Sequence, residues 1–224
     1  MTTYFHDRHE AGRRLAPLVQ NVAWHDDSVV LAVPRGGVPV GFEVARTLRA
    51  PLDVLVVRKL GFPGHEELAM GAIATAGVRI LNHSVIEQLQ ISEDQIEEIT
   101  ALELRELQRR EREYRAILPP LNLARRTAVL VDDGLATGST MRAAALSARR
   151  MGATRVIVAV PVASWDGIDA MSEVADDMIC VLQPPNFRAV AYWYEEFPQL
   201  TDEDVRLYLF DVLDKASIQE SVES

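Results

Sequence analysis

Two adjacent carboxylates, Asp132 and Asp133, follow directly on an apolar run in the stretch AVLVDDGLATGST, residues 128–140. Like charges repel, so the end of a buried strand has no structural need for such a pair. The turn that follows is made of small and hydroxyl-bearing residues: Ala136, Thr137, Gly138, Ser139 and Thr140. It leads into a helical pattern, and helix N-termini bind phosphate through unpaired N–H groups and partial positive charge. Carboxylates accept hydrogen bonds from hydroxyls. The stretch therefore predicts a site for a ribose diol and a phosphate together.

Other phosphate-binding patterns fit this stretch less well. The chain contains neither G-x-G-x-x-G nor G-x-x-x-x-G-K-[ST], the usual nucleotide-binding turns. A fold with a phospho-acceptor aspartate also places acids at strand ends, but it does not need the hydroxyl-rich turn. A purely structural turn between a strand and a helix has no reason to carry two carboxylates.

Three further stretches carry candidate site residues. AVPRGGVP (32–39) places Arg35, Gly36 and Gly37 after a buried strand, where two glycines beside an arginine can form an anion-binding nest. Arg58 and Lys59 precede GFPGHEELAMG (61–71), whose glycines and proline predict a mobile loop. Residues 184–197, PPNFRAVAYWYEEF, are rich in aromatic side chains that either stack on a planar ligand or fill a small core.

The elements that must position these residues alternate along the chain. Continuously apolar strands separated by helices predict an α/β fold, a parallel sheet covered on both faces. The predicted strands are 28–33, 52–57, 127–131, 154–160 and 177–182, with a short edge strand at 78–81. The predicted helices between them are 38–49, 138–152 and 165–174. Ligands bind such sheets beyond the carboxyl ends of the strands, which is where the candidate residues fall.

A long helix is predicted from residue 92 to residue 117. Ser92 and Gln95 form a capping box, and Ile96, Leu104 and Leu107 lie on one apolar arc with further apolar residues. The other faces are dense in glutamate and arginine. The pattern is typical of an amphipathic helix packed on the domain, and a partner-binding or lid helix is the alternative.

Composition limits the function classes. The 224 residues carry a net charge of -10, which argues against nucleic-acid and anionic-membrane partners. The single cysteine, Cys180, excludes a disulfide within the chain and favours a reducing compartment. The first ten residues contain no apolar leader, and the longest apolar run, 156–163, is too short to span a bilayer. We therefore expect a cytoplasmic protein.

VLVDDGLATGST resembles the phosphoribosyl pyrophosphate (PRPP) signature of type I phosphoribosyltransferases. In that family a turn like 32–39 binds pyrophosphate, a flexible loop like 56–73 closes over PRPP, and a hood like 184–197 covers the acceptor base. The chain as a whole resembles the bacterial group of this family whose acceptor is unassigned. The resemblance implies a single domain, 1–224. Its expected parts are a core at 26–182, a helical insertion at 84–118, a hood at 183–200 and a C-terminal helix at 202–214.

The resemblance also implies a reaction. PRPP, bound together with Mg²⁺, would react with a nitrogen base or amine in nucleotide metabolism, giving a phosphoribosyl product and pyrophosphate. The implied catalytic residues are Arg58, Lys59, Asp132 and Asp133, with the two acids reaching Mg²⁺ through water. The implied PRPP-binding residues are Arg35, Gly36, Gly37, Asp132, Asp133, Ala136, Thr137, Gly138, Ser139 and Thr140. The implied acceptor-binding residues are Phe187, Ser164 and His65, with Tyr192, Trp193 and Tyr194 as alternatives to Phe187.

Two positions bear on the acceptor. Ala136 and Ser164 stand where members acting on hypoxanthine and guanine carry an acid and a lysine, so 6-oxopurines are expected to be poor substrates. The alternative function is a PRPP-binding sensor that keeps the fold without turnover. A homodimer is one assembly that the resemblance allows.

Overall fold

A computed structural model describes the backbone of residues 4–23, 27–62 and 65–222, and the side chains of these residues except 65–68 and 213–222. The helices are α1 (Arg8–Val22), α2 (Gly37–Leu48), α3 (His83–Gln88), α4 (Glu93–Arg115), α5 (Ser139–Arg150), α6 (Trp165–Asp169) and α7 (Asp202–Val222). The strands are β1 (Ser28–Ala32), β2 (Leu52–Val54), β3 (Val57–Phe62), β4 (His65–Ala74), β5 (Val78–Leu81), β6 (Thr127–Val131), β7 (Arg155–Val162) and β8 (Asp177–Leu182).

The centre of the fold is a five-stranded parallel sheet in the order β2-β1-β6-β7-β8. Every residue of β1 and β6 is buried. Alternate residues of these strands serve two separate cores, since Val30 and Val129 belong to one apolar cluster and Leu31 and Leu130 to another. These apolar strands are therefore covered on both faces of the sheet, as the sequence predicts.

Helices cover both faces of the sheet. The first core is formed with α1, α2, α4 and α7, and the second core with α5 and the segment around α6. Ala143, Ala144 and Ala148 let α5 pack closely, because their small side chains are fully buried against the strands. The predicted α/β class is thus confirmed.

Over the described residues of 61–71, the backbone forms strands where the sequence predicted a loop. Strands β3 and β4 pair antiparallel and, with β5, form a separate three-stranded sheet in the order β3-β4-β5. The glycines misled the prediction. At Gly71, for example, a methyl group would overlap the carbonyl oxygen of Ile80, so this glycine permits close strand approach. The predicted strand 52–57 accordingly ends at Val54, and β3 begins at Val57 in the second sheet.

The long helix is α4, and its capping box of Ser92 and Gln95 is present. It packs on the domain rather than standing free, because Ile96, Leu107 and Tyr114 are buried in the first core. Leu104 departs from the predicted apolar arc, since its side chain is exposed.

Helix α1 was not predicted, although it is a substantial part of the first core. Asp7 caps it by accepting a hydrogen bond from the backbone N–H of Glu10, and Leu15 and Val19 are fully buried. Shortly before the helix, Phe5 forms a β-bridge with Tyr194, which ties the start of the chain to the hood segment. A core beginning at residue 26 therefore leaves out an element that packs on α2, β7 and β8.

None of the described helices combines the length and the apolar character that a membrane crossing requires.

Candidate functional site

A cleft of about 660 Å³ opens at the carboxyl edge of the parallel sheet. It brings together the acid pair, the turn after β1, the start of β3 and the start of α5, as parallel topology requires. The sequence-predicted residues that line it are Arg35, Gly36, Arg58, Lys59, Asp132, Asp133, Ala136, Thr137, Gly138, Ser139 and Thr140. The cleft is also lined by residues of the predicted hood, which we call the hood wall: Val190, Phe197, Pro198, Gln199 and Leu200. Arg8 and Arg110 line the cleft as well.

The two acids differ in their partners. An oxygen of Asp132, Oδ1, accepts a hydrogen bond from the Asp133 backbone N–H at 2.8 Å. Asp133 Oδ2 accepts one from Arg8 Nε, also at 2.8 Å. The Asp133 carboxylate lies against Gly36, where a methyl group would overlap Oδ2. Asp133 is therefore held between an arginine and a glycine, whereas Asp132 has no such cation bonded to it among the described residues.

Burial raises the pKa of Asp132 well above its usual range, and the neighbouring charge of Asp133 adds to this effect. The Asp133 backbone N–H, Lys59 and Arg8 act in the opposite direction. Burial also raises the pKa of Asp133, with the Arg8 guanidinium opposing it. Carboxylates whose pKa values are perturbed in a cleft are typical of functional sites.

Arg8 is a site residue that the sequence reading missed. Its Nη1 donates to the carbonyl oxygen of Pro198 at 2.8 Å, and its guanidinium carbon lies 3.7 Å from the centre of the Phe197 ring. Arg8 thus connects helix α1 with both the acid pair and the hood wall of the cleft. The local signal was Asp7 three residues before Glu10, a helix-start pattern that would have placed Arg8 in a first turn.

The turn before α5 has the features expected of a phosphate site. Gly138 has a φ of 77°, a conformation that favours glycine, and it precedes the first residue of α5. The hydroxyls of Thr137 and Ser139 lie 3.1 Å apart, so both reach the same part of the turn. The N-cap residue is Gly138, which has no side chain, so among the described residues no N-cap side chain competes with an anion for the N–H groups of this helix.

The turn after β1 lines the cleft and also lets helix α2 pack closely against the sheet. Arg35 and Gly36 line the cleft, and the peptide bond between Pro34 and Arg35 is cis. Gly37 does not line it. A methyl group there would lie 2.5 Å from the Val131 carbonyl oxygen, so this glycine allows α2 to start against β6.

Arg58 and Lys59 both line the cleft but differ in their surroundings. Arg58 Nε donates to Glu103 of α4 at 2.6 Å, and the arginine side chain is 27% exposed. Lys59 is exposed, and its charge opposes the burial that raises the pKa of Asp132. Of the two predicted cations, Arg58 is therefore paired within the protein, whereas Lys59 has no ion-pair partner among the described residues.

Two of the three predicted acceptor residues, Phe187 and Ser164, do not line the cleft. Phe187 packs beside the small cluster of Phe5 and Tyr194 and does not line the cleft. The Ser164 hydroxyl donates to the Ala136 carbonyl oxygen and accepts from the Gly167 backbone N–H, so it caps α6. His65 begins β4, but its side chain lies outside the described residues.

The alternative aromatics also have local partners. Trp193 stacks on Tyr4 with ring centres 5.7 Å apart, and the Tyr194 hydroxyl donates to the Asp133 carbonyl oxygen at 2.6 Å. Tyr192 is 60% exposed and does not line the cleft.

Within the described residues, no group of three or more histidine, cysteine, aspartate or glutamate side chains could hold a metal ion by itself.

The model of the phosphoribosyl transferase domain matches residues 6–195, which include α1, the acid pair and the hood segment. The chain belongs to this family. Two curated proteins of Mycobacterium tuberculosis, strains CDC 1551 / Oshkosh and H37Rv, are each named "Putative phosphoribosyl transferase". Both are 44% identical to this chain over 205 residues, which is 92% of this chain and 46% of theirs. The chain thus spans about half the length of these relatives.

A solved structure, TT1426 from Thermus thermophilus, is similar over nearly the whole domain. It is 38% identical, covers 93% of this chain and 98% of its own, and superposes with a TM-score of 0.78. The phosphoribosyl transferase domain of this chain therefore has a structural counterpart of nearly the same extent.

Proposed function

We propose that the protein transfers a 5-phosphoribosyl group from PRPP to a nitrogen base or amine and releases pyrophosphate. One observation carries the proposal: a single cleft contains the acid pair at the end of β6, the uncapped start of α5 and the exposed cation Lys59. A ribose diol, a 5-phosphate and a pyrophosphate need these three kinds of partner.

The reaction is a substitution at C1 of the ribose. The acceptor nitrogen forms the new bond to C1, the bond from C1 to the pyrophosphate oxygen breaks, and pyrophosphate leaves with the electron pair. The acceptor nitrogen then loses its proton to solvent or pyrophosphate. Positive charge develops on the ribose ring and negative charge on the leaving group, so the site must stabilise both.

The acids are suited to the ribose side of this charge separation. Asp133, which is hydrogen-bonded to Arg8, accepts hydrogen bonds from the diol. Asp132 lies nearby with a raised pKa, so hydroxyl donors from the ribose would compensate its burial. On the opposite side, Lys59 and Arg35 stabilise the departing pyrophosphate, and Thr137, Ser139 and Thr140 bind the 5-phosphate with the N–H groups of α5.

Mg²⁺ fits this site as a companion of PRPP rather than as a resident ion. The acid pair offers the oxygen ligands that Mg²⁺ prefers, and this ion usually keeps several waters and binds substrate phosphates. Asp132 and Asp133 would hold it through water. When bound, it would neutralise charge on the pyrophosphate.

Pyrophosphate release from PRPP, measured with a panel of bases and amines, tests the proposal. Asp132→Asn with Asp133→Asn should abolish both PRPP binding in calorimetry and pyrophosphate release, while circular dichroism stays unchanged. Asp166→Asn, a change at an exposed acid of α6, is the matched control and should leave both unchanged. Unchanged PRPP affinity in the double variant would contradict the site. PRPP binding without turnover for every acceptor would favour the sensor.

We also propose that 6-oxopurines are poor acceptors. Ala136 has no carboxylate, and the Ser164 hydroxyl is already engaged by backbone groups. Each polar group of a bound base left without a partner costs about 1–3 kcal/mol. Conversion of guanine or hypoxanthine with kcat/KM above about 10⁴ M⁻¹s⁻¹, a value typical of true substrates, would contradict this.

A further inference from the structure

Helix α4 brings one side chain into the cleft, and it is a cation. Arg110 lines the cleft although its side chain is only 13% exposed. Its Nε donates to Glu106 Oε1 at 2.8 Å. Among the described residues, neither Nη group of Arg110 has a hydrogen-bond partner. Glu106 therefore fixes the stem of the guanidinium, and the end that could bind a ligand is left without a protein acceptor.

Arg110 shares its ion-pair partner Glu106 with Arg109, which takes up most of the hydrogen-bonding capacity of the nearby acids. Arg109 binds both oxygens of Glu106, at 2.7 and 2.9 Å, and it also binds Glu113 and Asp202. These bonds hold the pKa of Glu106 at about 2, with Arg109 as the main cause and Arg110 adding to it. Glu106 thus remains ionised and shared, and Arg110 keeps positive charge at the cleft surface.

The position of Arg110 is beside the hood wall. Asp202 starts α7 two residues after Leu200 of the wall. Burial acts to raise the pKa of Asp202, but hydrogen bonds from Arg109 and Tyr114 and the charge of Arg110 outweigh it and lower the pKa. Tyr114, which donates to Asp202, lies one turn beyond Arg110 on α4. Arg110 therefore lies near the start of α7, beside the hood wall, and Arg35 also approaches Asp202, at 4.0 Å.

The hood wall has few hydrogen-bonding groups that could recognise a polar acceptor. Val190, Phe197, Pro198 and Leu200 are apolar, and Gln199 is the one polar residue of the hood wall. Arg8 lies over Phe197, but it already donates hydrogen bonds to Asp133 and Pro198. Ser164, which was predicted to bind the acceptor, caps helix α6 instead. An apolar wall with a fixed guanidinium beside it matches a planar ring that carries an anionic substituent, since arginine binds carboxylates through two parallel hydrogen bonds.

We propose that the acceptor carries a carboxylate, and that Arg110 binds this group and selects for it. The inference rests on the proposed phosphoribosyl transfer and names the substrate class of that site. It makes α4, which lies outside the core recognised from the sequence, a determinant of specificity.

The test uses acceptor pairs that differ in the anionic group: nicotinate with nicotinamide, orotate with uracil, and anthranilate with aniline. Pyrophosphate release and calorimetric binding to the PRPP-loaded protein are both measured. A charged hydrogen bond corresponds to about a 10- to 100-fold preference, so at least one carboxylate should exceed its neutral partner by that factor. Arg110→Gln should remove the preference and leave PRPP affinity within about twofold. Arg105→Gln, an exposed arginine of the same helix that does not line the cleft, should leave the preference intact.

Three outcomes would overturn the inference. They are equal binding of both members of every pair, no binding of any carboxylate, and loss of PRPP affinity in Arg110→Gln comparable to the loss for acceptors. If PRPP binds but no acceptor releases pyrophosphate, the proposed function fails instead. Calorimetry of the pairs with the PRPP-loaded protein still decides the role of Arg110 in that case.

Discussion

Replacing Arg8 with methionine would test whether α1 is part of the site. The side chains of Arg8 and Asp133 are only 9% and 14% exposed, and their hydrogen bond measures 2.8 Å. Removing one partner of such a buried pair leaves an uncompensated charge and costs about 3–5 kcal/mol. The lost contacts with Pro198 and Phe197 are part of the same cost, because contact energies at one residue are not additive. We therefore expect Arg8→Met to lower the free energy of unfolding by about 3–5 kcal/mol.

Denaturant unfolding of the ligand-free protein measures this loss. Arg8→Met combined with Asp133→Asn should recover at least about 2 kcal/mol, because no charge is then left buried without a partner. Arg13→Met is the control on the same helix, since Arg13 is 53% exposed and lies 3.6 Å from Glu43. Its cost should stay below about 0.5 kcal/mol.

The same variant should change how PRPP binding depends on pH. Without Arg8 the pKa of Asp133 rises further, because burial raises it and the guanidinium that opposes burial is gone. A smaller fraction of Asp133 is then ionised at neutral pH, so PRPP affinity should be reduced and should recover as pH rises. A cost below about 1 kcal/mol, or a double variant no more stable than Arg8→Met, would refute the reasoning.

Three further predictions concern the same cleft. The pKa of Asp132 is raised by folding, so its favourable contribution to stability is complete below the unfolded pKa and is lost as pH rises through the folded pKa. Asp132→Asn should therefore stabilise the ligand-free protein in thermal unfolding by about 0.5–2 kcal/mol at pH 8, and less at pH 5, while PRPP binding is lost; equal effects at both pH values would contradict this. Gly36→Ala should cost about 1–3 kcal/mol and weaken PRPP binding, because its methyl group would meet the Asp133 carboxylate, and a variant of normal stability would contradict the close contact. Lys59→Ala should lower kcat more than it weakens PRPP binding in calorimetry, whereas a raised PRPP KM at full kcat would make Lys59 a binding residue only.

The sequence predicted the parallel sheet and the acid site because those signals are local. A strand buried on both faces is apolar at every position, and Asp132 and Asp133 interrupt such a run where ligands bind. The capping box of α4 could also be recognised from the sequence, since Ser92 and Gln95 form hydrogen bonds with each other within one turn. The family resemblance rested on these stretches, and the family match over residues 6–195 agrees with it.

The remainder depended on contacts between distant segments. Arg8 meets Asp133 across 125 positions of sequence, and no periodicity reveals such a pair. Arg110 was one cation on a polar helix face until the fold placed it in the cleft. Helix α1 was hidden by its low hydropathy and by Pro17 in its interior, although its buried residues follow helical spacing.

The burial of apolar residues within 55–60, at the start of strand β3, restricts the motion of the backbone beside the cleft. Leu55 and Val57 are buried in the second core, while Val56 and Leu60 are buried in the first, so successive residues are anchored on opposite sides. The neighbouring Lys59 pairs with Ala72 in the ladder to β4. The amides of this stretch should therefore exchange with deuterium only when both cores open together, on the timescale of global unfolding. We therefore expect the backbone at Lys59 to keep its position when a substrate binds. Any closure over the substrate would then involve the lysine side chain or residues beyond Leu60.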